Sequence, residues 1–132
     1  MTDQKQVGSK PIVLSIGQCR PDGAALAHYL TTHFQATVLT ADLPAPALEL
    51  LAAHDVDLVL LNRQLDIDGS DGLDILTQIR NGSAKSGIPV MLVSNFDEWQ
   101  RKAVELGAIY GFGKAELNRP ETRQKIADVL RC

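Results

Sequence analysis

The chain has 132 residues, of which 45% are hydrophobic and 22% charged, and its formal net charge is −3. These values are typical of one globular domain with a buried core. The mild acidity, without a basic block, argues against nucleic-acid binding through phosphate contacts. No hydrophobic run is long enough to span a bilayer. We therefore expect a cytoplasmic protein with a flexible leader at 1–10 and a single domain at 11–132.

Short hydrophobic runs alternate with helical patterns along the chain. In chain order they read strand PIVLSIG, helix RPDGAALAHYLTTHF, strand ATVLTAD, helix LPAPALELLAAHD, strand VDLVLL, helix DGLDILTQIRNGS, strand IPVMLVS, helix DEWQRKAVELGA, strand IYGFGK and helix NRPETRQKIADVLRC. Asp71 is placed to cap the third helix, and Asn81-Gly82 to end it in a left-handed turn. Gly107 is a stop signal for the fourth helix, and Asn118 a cap for the fifth.

Five β-α repeats with right-handed crossovers predict a parallel sheet with helices on both faces. In such sheets, functional side chains gather at the carboxyl ends of the strands. Those ends are predicted at Gly17-Gln18-Cys19, Asn62, Ser94-Asn95 and Lys114. Neither GxGxxG nor a P-loop follows the first strand, so these motifs give nucleotide binding no support.

Four segments together resemble the receiver domains of two-component response regulators, the CheY-like family. DLVLLN is similar to the strand that ends in the phosphoacceptor aspartate, and DGLDILTQIR to the helix that follows it. IPVMLVS is similar to the fourth strand with its terminal hydroxyl residue, and AVELGAIYGFGK to the segment that ends in a lysine. The resemblance covers roughly the whole chain after residue 10. It implies an α/β, flavodoxin-like, doubly wound sheet of five parallel strands, in the order 2-1-3-4-5, with five helices.

The resemblance also implies lost chemistry. In receivers a carboxylate attacks a phosphoryl group, while an acidic pair at the end of the first strand holds a divalent cation. Here an amide, Asn62, stands at the nucleophile position, and residues 17–18 or 18–19 offer no acid at the pair. We therefore expect a pseudo-receiver with no catalytic residue, no metal and no cofactor. Its degenerate pocket would contain Asn62, Ser94, Lys114 and Gln18.

Three further departures from the family pattern lie in the loops. The loop after the third strand lacks the family's proline and is about two residues longer, and Ala115 rather than proline follows the lysine. Gly111 occupies the position of the aromatic switch residue, and Tyr110 is displaced by one. A glycine has no side chain to rotate, so the switch is expected to be absent.

The acids of the loop LDIDGSDG leave alternatives open. Lys114 is expected to donate to Asn62 in a locked polar cluster, to turn towards solvent, or to reach Asp66 or Asp68. The loop is similar to the DxDG signature of haloacid-dehalogenase-type phosphohydrolases, although three residues separate Asp66 from the strand. Solvated turn acids are the favoured interpretation. The alternative function is an active phosphoacceptor or phosphohydrolase that uses Asp66 or Asp68 with a divalent cation.

A domain without chemistry must act by contact. In receivers the fourth helix, fifth strand and fifth helix form the partner face, which here would include Trp99, Tyr110, Lys114 and Glu116. Trp99 either anchors a partner or folds over the edge of the core. The leading hypothesis is a phosphorylation-independent protein–protein interaction module in bacterial two-component signalling. It would bind a protein of unknown identity, with homodimerisation open, and neither nucleic acid nor membrane.

Overall fold

The computed structural model describes residues 10–82 and 87–131. Residues 1–9 of the predicted leader lie outside the described residues. The strands are β1 (Ile12–Ile16), β2 (Thr37–Ala41), β3 (Leu58–Asn62), β4 (Val90–Val93) and β5 (Ile109–Phe112). The helices are α1 (Arg20–Phe34), α2 (Pro44–Ala53), α3 (Gly72–Asn81), α4 (Asp97–Glu105) and α5 (Pro120–Leu130). A short 3₁₀ helix, Lys114–Glu116, lies between β5 and α5.

The five strands form one parallel sheet in the order β2-β1-β3-β4-β5. This confirms the predicted flavodoxin-like architecture, its strand order and its five helices. β3 lies at the centre, which explains its continuous hydrophobic run from Leu58 to Leu61, since both faces of a central parallel strand are buried. The run ends at Asn62, which pairs with Val93 of β4 at the carboxyl edge of the sheet.

The core has two layers because side chains alternate along each strand. Val59 and Leu61 belong to the cluster under α2, α3 and α4, whereas Leu58 and Leu60 belong to the cluster under α1 and α5. Each helix therefore covers one defined side of β3. Polar side chains lie at the carboxyl edge of the sheet, where the loops meet.

Two of the four predicted helix ends are confirmed and two were wrong. The Asp71 carboxylate accepts the Leu73 N–H at 2.9 Å, and Gly107 follows α4 with φ of +103°. Gly82, however, has φ of −74° and is extended rather than left-handed. The residue at the N-cap of α5 is Arg119, not Asn118, because the 3₁₀ turn occupies the preceding segment and the Glu116 carbonyl accepts the Arg119 N–H.

Candidate functional site

Three of the four predicted pocket residues lie around one cavity at the carboxyl edge of the sheet. Asn62 ends β3, Ser94 follows β4 and Lys114 follows β5, and all three line a cavity of about 360 Å³. Gln18, the fourth, is not part of its wall; it lies beyond β1, where its amide donates to the Ile16 carbonyl at 3.4 Å. The residues predicted at the ends of β3, β4 and β5 therefore lie together, whereas Gln18 follows β1 as predicted but does not line this cavity.

Asn62 links the ends of two neighbouring strands. Its Nδ2 donates to the Gly17 carbonyl, the first residue after β1, at 2.9 Å. The Asp66 backbone N–H donates to the same carbonyl oxygen at 3.0 Å. An ionised aspartate at position 62 has no hydrogen to donate, so it would place a negative oxygen against this carbonyl. The amide therefore has a structural role that the receiver carboxylate could not fill.

Leu65 fills the space beside Gly17, one of the residues at which the receiver resemblance places an acidic pair. Gly17 has φ of +77°, and a Cβ built on it would lie 2.4 Å from the Leu65 Cγ. Leu65 is 1% exposed and belongs to the core cluster under α2, α3 and α4. The longer loop after β3 thus returns a leucine to the end of β1. Sequence reasoning overlooked this residue, although an apolar side chain in a polar loop was a visible signal.

Lys114 has a partner that none of the sequence-based alternatives included. Its Nζ lies 2.6 Å from the Oδ2 of Asp22, in the first turn of α1, and not beside Asn62, Asp66 or Asp68. The Cys19 thiol donates to the same oxygen at 3.0 Å. These two hydrogen bonds, the thiol's first and the lysine's second, hold the pKa of Asp22 below its usual value. The sequence analysis places Asp22 only within the predicted first helix, because nothing in the sequence marks its distant partner.

Ser94 uses its hydroxyl locally. The Oγ accepts the Phe96 N–H at 3.2 Å and so caps the loop between β4 and α4. The backbone of Ser94 joins the sheet edge, where its N–H donates to the Phe112 carbonyl at 3.0 Å. Ser94, which matches the receiver pattern, thus uses its hydroxyl to stabilise the loop that it begins.

The loop acids are exposed and bonded within their own turn. Asp68 accepts the Ser70 hydroxyl at 2.6 Å and the Ser70 N–H at 2.9 Å. These bonds, the hydroxyl's first, lower the pKa of Asp68. Asp71 caps α3, and Asp66 is exposed. Within residues 10–82 and 87–131, no group of three His, Cys, Asp or Glu side chains is arranged to hold a metal ion.

The position of the aromatic switch is closed by its neighbours. β5 makes three steps against two of β4, and Gly111 lies in this bulge. The buried Gln100 side chain donates to the Leu92 carbonyl at 2.9 Å and accepts the Gly111 N–H at 2.8 Å. The Lys125 ammonium donates to the Gly111 carbonyl at 2.8 Å. A Cβ at Gly111 would lie 2.1 Å from the Leu92 carbonyl oxygen, so no side chain fits there.

The predicted partner-face residues fall into two places. Trp99 is half-buried against the core and lines the cavity of Asn62, with the Arg63 guanidinium carbon 3.7 Å above its ring. Tyr110 and Glu116 line a different cavity of about 390 Å³. The Tyr110 hydroxyl donates to Asp97, which raises the pKa of Tyr110. Trp99 is thus separated from the other two.

Comparison with known proteins identifies the family. The pattern described as the response regulator receiver domain matches residues 22–127. No curated protein gives a significant match. Among the residues that the structure describes, no helix is long and apolar enough to cross a membrane.

Solved structures share the fold over most of the chain. The signal receiver domain of a DNA-binding response regulator from Colwellia psychrerythraea is 27% identical, with a TM-score of 0.79, and the match covers 93% of this chain and 100% of that one. The BeF3-activated receiver domain of Klebsiella pneumoniae RstA is 23% identical, with a TM-score of 0.72 and coverage of 92% and 99%. The chemotaxis protein CheY4 of Vibrio cholerae is 16% identical, with a TM-score of 0.70 and coverage of 93% and 98%. The chain therefore belongs to the response regulator receiver domains, the signalling modules of two-component systems.

Proposed function

We propose that this receiver domain works without phosphoryl transfer, as a phosphorylation-independent protein–protein interaction module. The observation that carries the proposal is the filled end of β1, where Leu65 packs against Gly17 in the space that an acidic side chain needs. A hard divalent cation prefers several oxygen ligands, and this edge offers no anionic pair to bind it. The amide of Asn62 forms no acyl phosphate and is already bonded to the Gly17 carbonyl.

The retained groups support the same proposal. In a phosphorylated receiver, the hydroxyl and the lysine hold the phosphoryl group. Here the Ser94 hydroxyl is bonded to the Phe96 N–H, and Lys114 is paired with Asp22. Phosphorylation would have to break both local arrangements before either group could act. The matched receivers come from bacteria, which favours a bacterial, cytoplasmic signalling role for this domain.

The proposed partner face lies on α4 and β5. Val104, Ile109 and Tyr110 are 43%, 38% and 42% exposed, and they give this face an apolar centre beside Glu116. β5 is also an edge strand of the sheet. The partner is a protein, either another component of the pathway or a second copy of this chain.

Incubation with phosphoramidate and Mg²⁺, followed by intact-mass measurement, tests the absence of phosphoryl transfer. We expect an unchanged mass, whereas a receiver that retains its phosphoacceptor aspartate gains one phosphoryl group under the same conditions. A gain that is lost in Asp66→Asn or Asp68→Asn would instead favour the alternative phosphoacceptor or phosphohydrolase.

The contact face is tested with a matched pair of charge substitutions. Ile109→Glu should abolish self-association in sedimentation velocity, or capture of a partner from the source cells, because it places a charge in the apolar centre. Ile67→Glu is the control, since Ile67 is 64% exposed on the loop after β3. Self-association or partner capture by the wild-type chain should be the same with and without phosphoramidate. Equal effects of the two variants would argue against this face.

A further inference from the structure

A third cavity shares no lining residue with the cavity beside Asn62. It has a volume of about 660 Å³, within the usual range of small-molecule sites, and lies between α1 and α5. Its walls are formed by nine residues: Tyr29, His33, Phe34, Asn118, Arg119, Pro120, Arg123, Gln124 and Ala127. No acidic side chain is among them, although the chain as a whole carries a net charge of −3.

The cationic groups of this cleft are poorly neutralised. Within the described part of the chain, the Arg123 guanidinium has no ion pair. Arg119 has a distant one, with 3.4 Å to the Glu116 carboxylate and 61% of its own side chain exposed. An exposed pair of this length contributes little to stability. Guanidinium groups match the oxygens of a phosphate in paired hydrogen bonds, so two of them in a cleft whose lining residues include no acid favour an oxyanion.

Tyr29 contributes an observation that is independent of the two arginines. It is 5% exposed, and its hydroxyl has no hydrogen-bond partner among residues 10–82 and 87–131. A buried hydroxyl without a partner is destabilising, and native proteins rarely leave one so. Tyr29 and Arg123 line the same cleft. Burial raises the pKa of Tyr29, and the charge of Arg123 opposes that rise.

Two more features of the cleft suit an anion. α5 begins at Pro120 in the wall, and the positive end of a helix dipole favours negative charge. The His33 ring meets the Tyr29 ring edge to face, with 4.6 Å between centroids, and His33 is exposed. The cleft is larger than a bare phosphate ion needs, which leaves room for the body of an organic molecule.

We propose that the cleft between α1 and α5 binds a phosphorylated small molecule, with Arg123, Arg119 and the Tyr29 hydroxyl directed at the phosphate. The hydroxyl is buried in this structure, so binding includes a side-chain movement that exposes it to the phosphate. GxGxxG and the P-loop, which do not follow the first strand, bind phosphate through a loop at a strand end. The site proposed here would instead bind phosphate through side chains of α1 and α5. The inference stands independently of whether Asn62 can be phosphorylated.

Titration of the whole chain, followed by ¹H–¹⁵N spectra, tests the site. The probes are inorganic phosphate, ADP and glucose 6-phosphate, with adenosine, glucose and potassium chloride of matched ionic strength as controls. We expect saturable shifts at residues 29–34 and 118–127 with the phosphorylated probes and none with the controls. The order of the binding affinities of the three probes then distinguishes a site for free phosphate from a site for an organic phosphate. No saturable shift in the cleft at millimolar concentrations of any phosphorylated probe would overturn the proposal.

Matched variants locate the binding. Arg123→Gln should weaken binding by about 10- to 100-fold, because it removes a charge-assisted contact. Arg101→Gln, on α4 and paired with Asp97, should leave binding unchanged. Tyr29→Phe should weaken binding several-fold while leaving the melting temperature equal or higher, since it removes an unpartnered buried hydroxyl. Equal binding by Arg123→Gln and wild type, or a loss of thermal stability in Tyr29→Phe, would contradict the proposed site.

Discussion

The two halves of the carboxyl edge have departed from the receiver pattern in different ways. At the ends of β1 and β3 the residues themselves differ, and the space has been filled. Asn62 donates to the Gly17 carbonyl, and Leu65 packs against Gly17 as part of the core. This half is held by hydrophobic packing and one amide hydrogen bond.

At the ends of β4 and β5, by contrast, the residue types match the expected receiver pattern, and their side chains are bonded to other groups of this chain. Ser94 caps its own loop, and Lys114 is bound to Asp22 at the start of α1. A matching residue type therefore predicts where a side chain lies better than it predicts what the side chain does. Substitutions at Gly17 and Leu65 probe the filled half, and substitutions at Gln100 and Asp22 probe the half near the ends of β4 and β5.

The largest effect is expected for Gly17→Ala. The new Cβ would overlap Leu65, and alanine would be held at a positive φ, so we expect a loss of about 3–5 kcal/mol in the free energy of unfolding. Urea denaturation measures it. Gly23→Ala is the matched control, because its Cβ would meet only Gln18 Cβ at 3.6 Å; it should leave stability equal or raise it by up to about 1 kcal/mol. Equal stability of Gly17→Ala and wild type would show that the end of β1 is not filled.

Leu65→Ala should cost about 2–4 kcal/mol, because a fully buried leucine is replaced by a cavity. The double variant Gly17→Ala/Leu65→Ala should lose less than the sum of the two single losses, since the smaller side chain makes room for the new Cβ. The same denaturation experiment gives the coupling energy. Strict additivity would mean that the two positions do not share one space.

Gln100→Leu should cost about 2 kcal/mol, and it acts on the other half of the edge. It keeps the approximate side-chain volume but leaves the Gly111 N–H and the Leu92 carbonyl without their amide partner. Hydrogen exchange of the Gly111 amide should accelerate in this variant. Gln78→Leu, on the exposed side of α3, is the control and should change stability by less than about 0.5 kcal/mol. Unchanged exchange at Gly111 would contradict the hydrogen-bond link that Gln100 makes between β4 and β5.

Asp22→Asn should have the smallest effect, below about 1 kcal/mol, because both partners of the ion pair are about one-third or more exposed. The pKa of Asp22 is lowered in the folded state, so its contribution is present above the unfolded pKa of about 4 and is lost as the pH falls further. Denaturation between neutral pH and pH 3 should therefore show a smaller acid-induced loss in Asp22→Asn than in wild type. An identical pH profile would argue that the pair contributes nothing.

The sequence predicted the fold because the alternation of strand and helix patterns is carried by local segments. It predicted Asn62, Ser94 and Lys114 at one edge for the same reason, since strand ends converge in a parallel sheet. It did not predict Leu65 or Asp22, whose roles depend on partners elsewhere in the fold. Leu65 lies in a polar loop of the sequence and Asp22 in a predicted helix, and no local pattern shows which distant residue either of them contacts.

Gln100 shows the same difficulty within a helix. It stands among charged residues in DEWQRK, a composition typical of a solvated first turn, yet it is 2% exposed and joins β4 to β5. Its burial follows from the bulge in β5, which opens backbone groups that only a neighbouring amide satisfies. Bulges leave no clear trace in a single sequence, so the hydrogen bonds of Gln100 could be identified only from the structure.

The central claim is that the filled strand end accepts neither a cation nor a phosphoryl group. The most direct test records ¹H–¹⁵N spectra of the chain with Mg²⁺ and beryllofluoride, the combination that mimics a phosphorylated receiver. We predict no specific shift of the amides of Gly17, Asn62, Ser94 or Lys114, and an unchanged melting temperature. A saturable shift at these four amides that requires both Mg²⁺ and beryllofluoride would contradict the account.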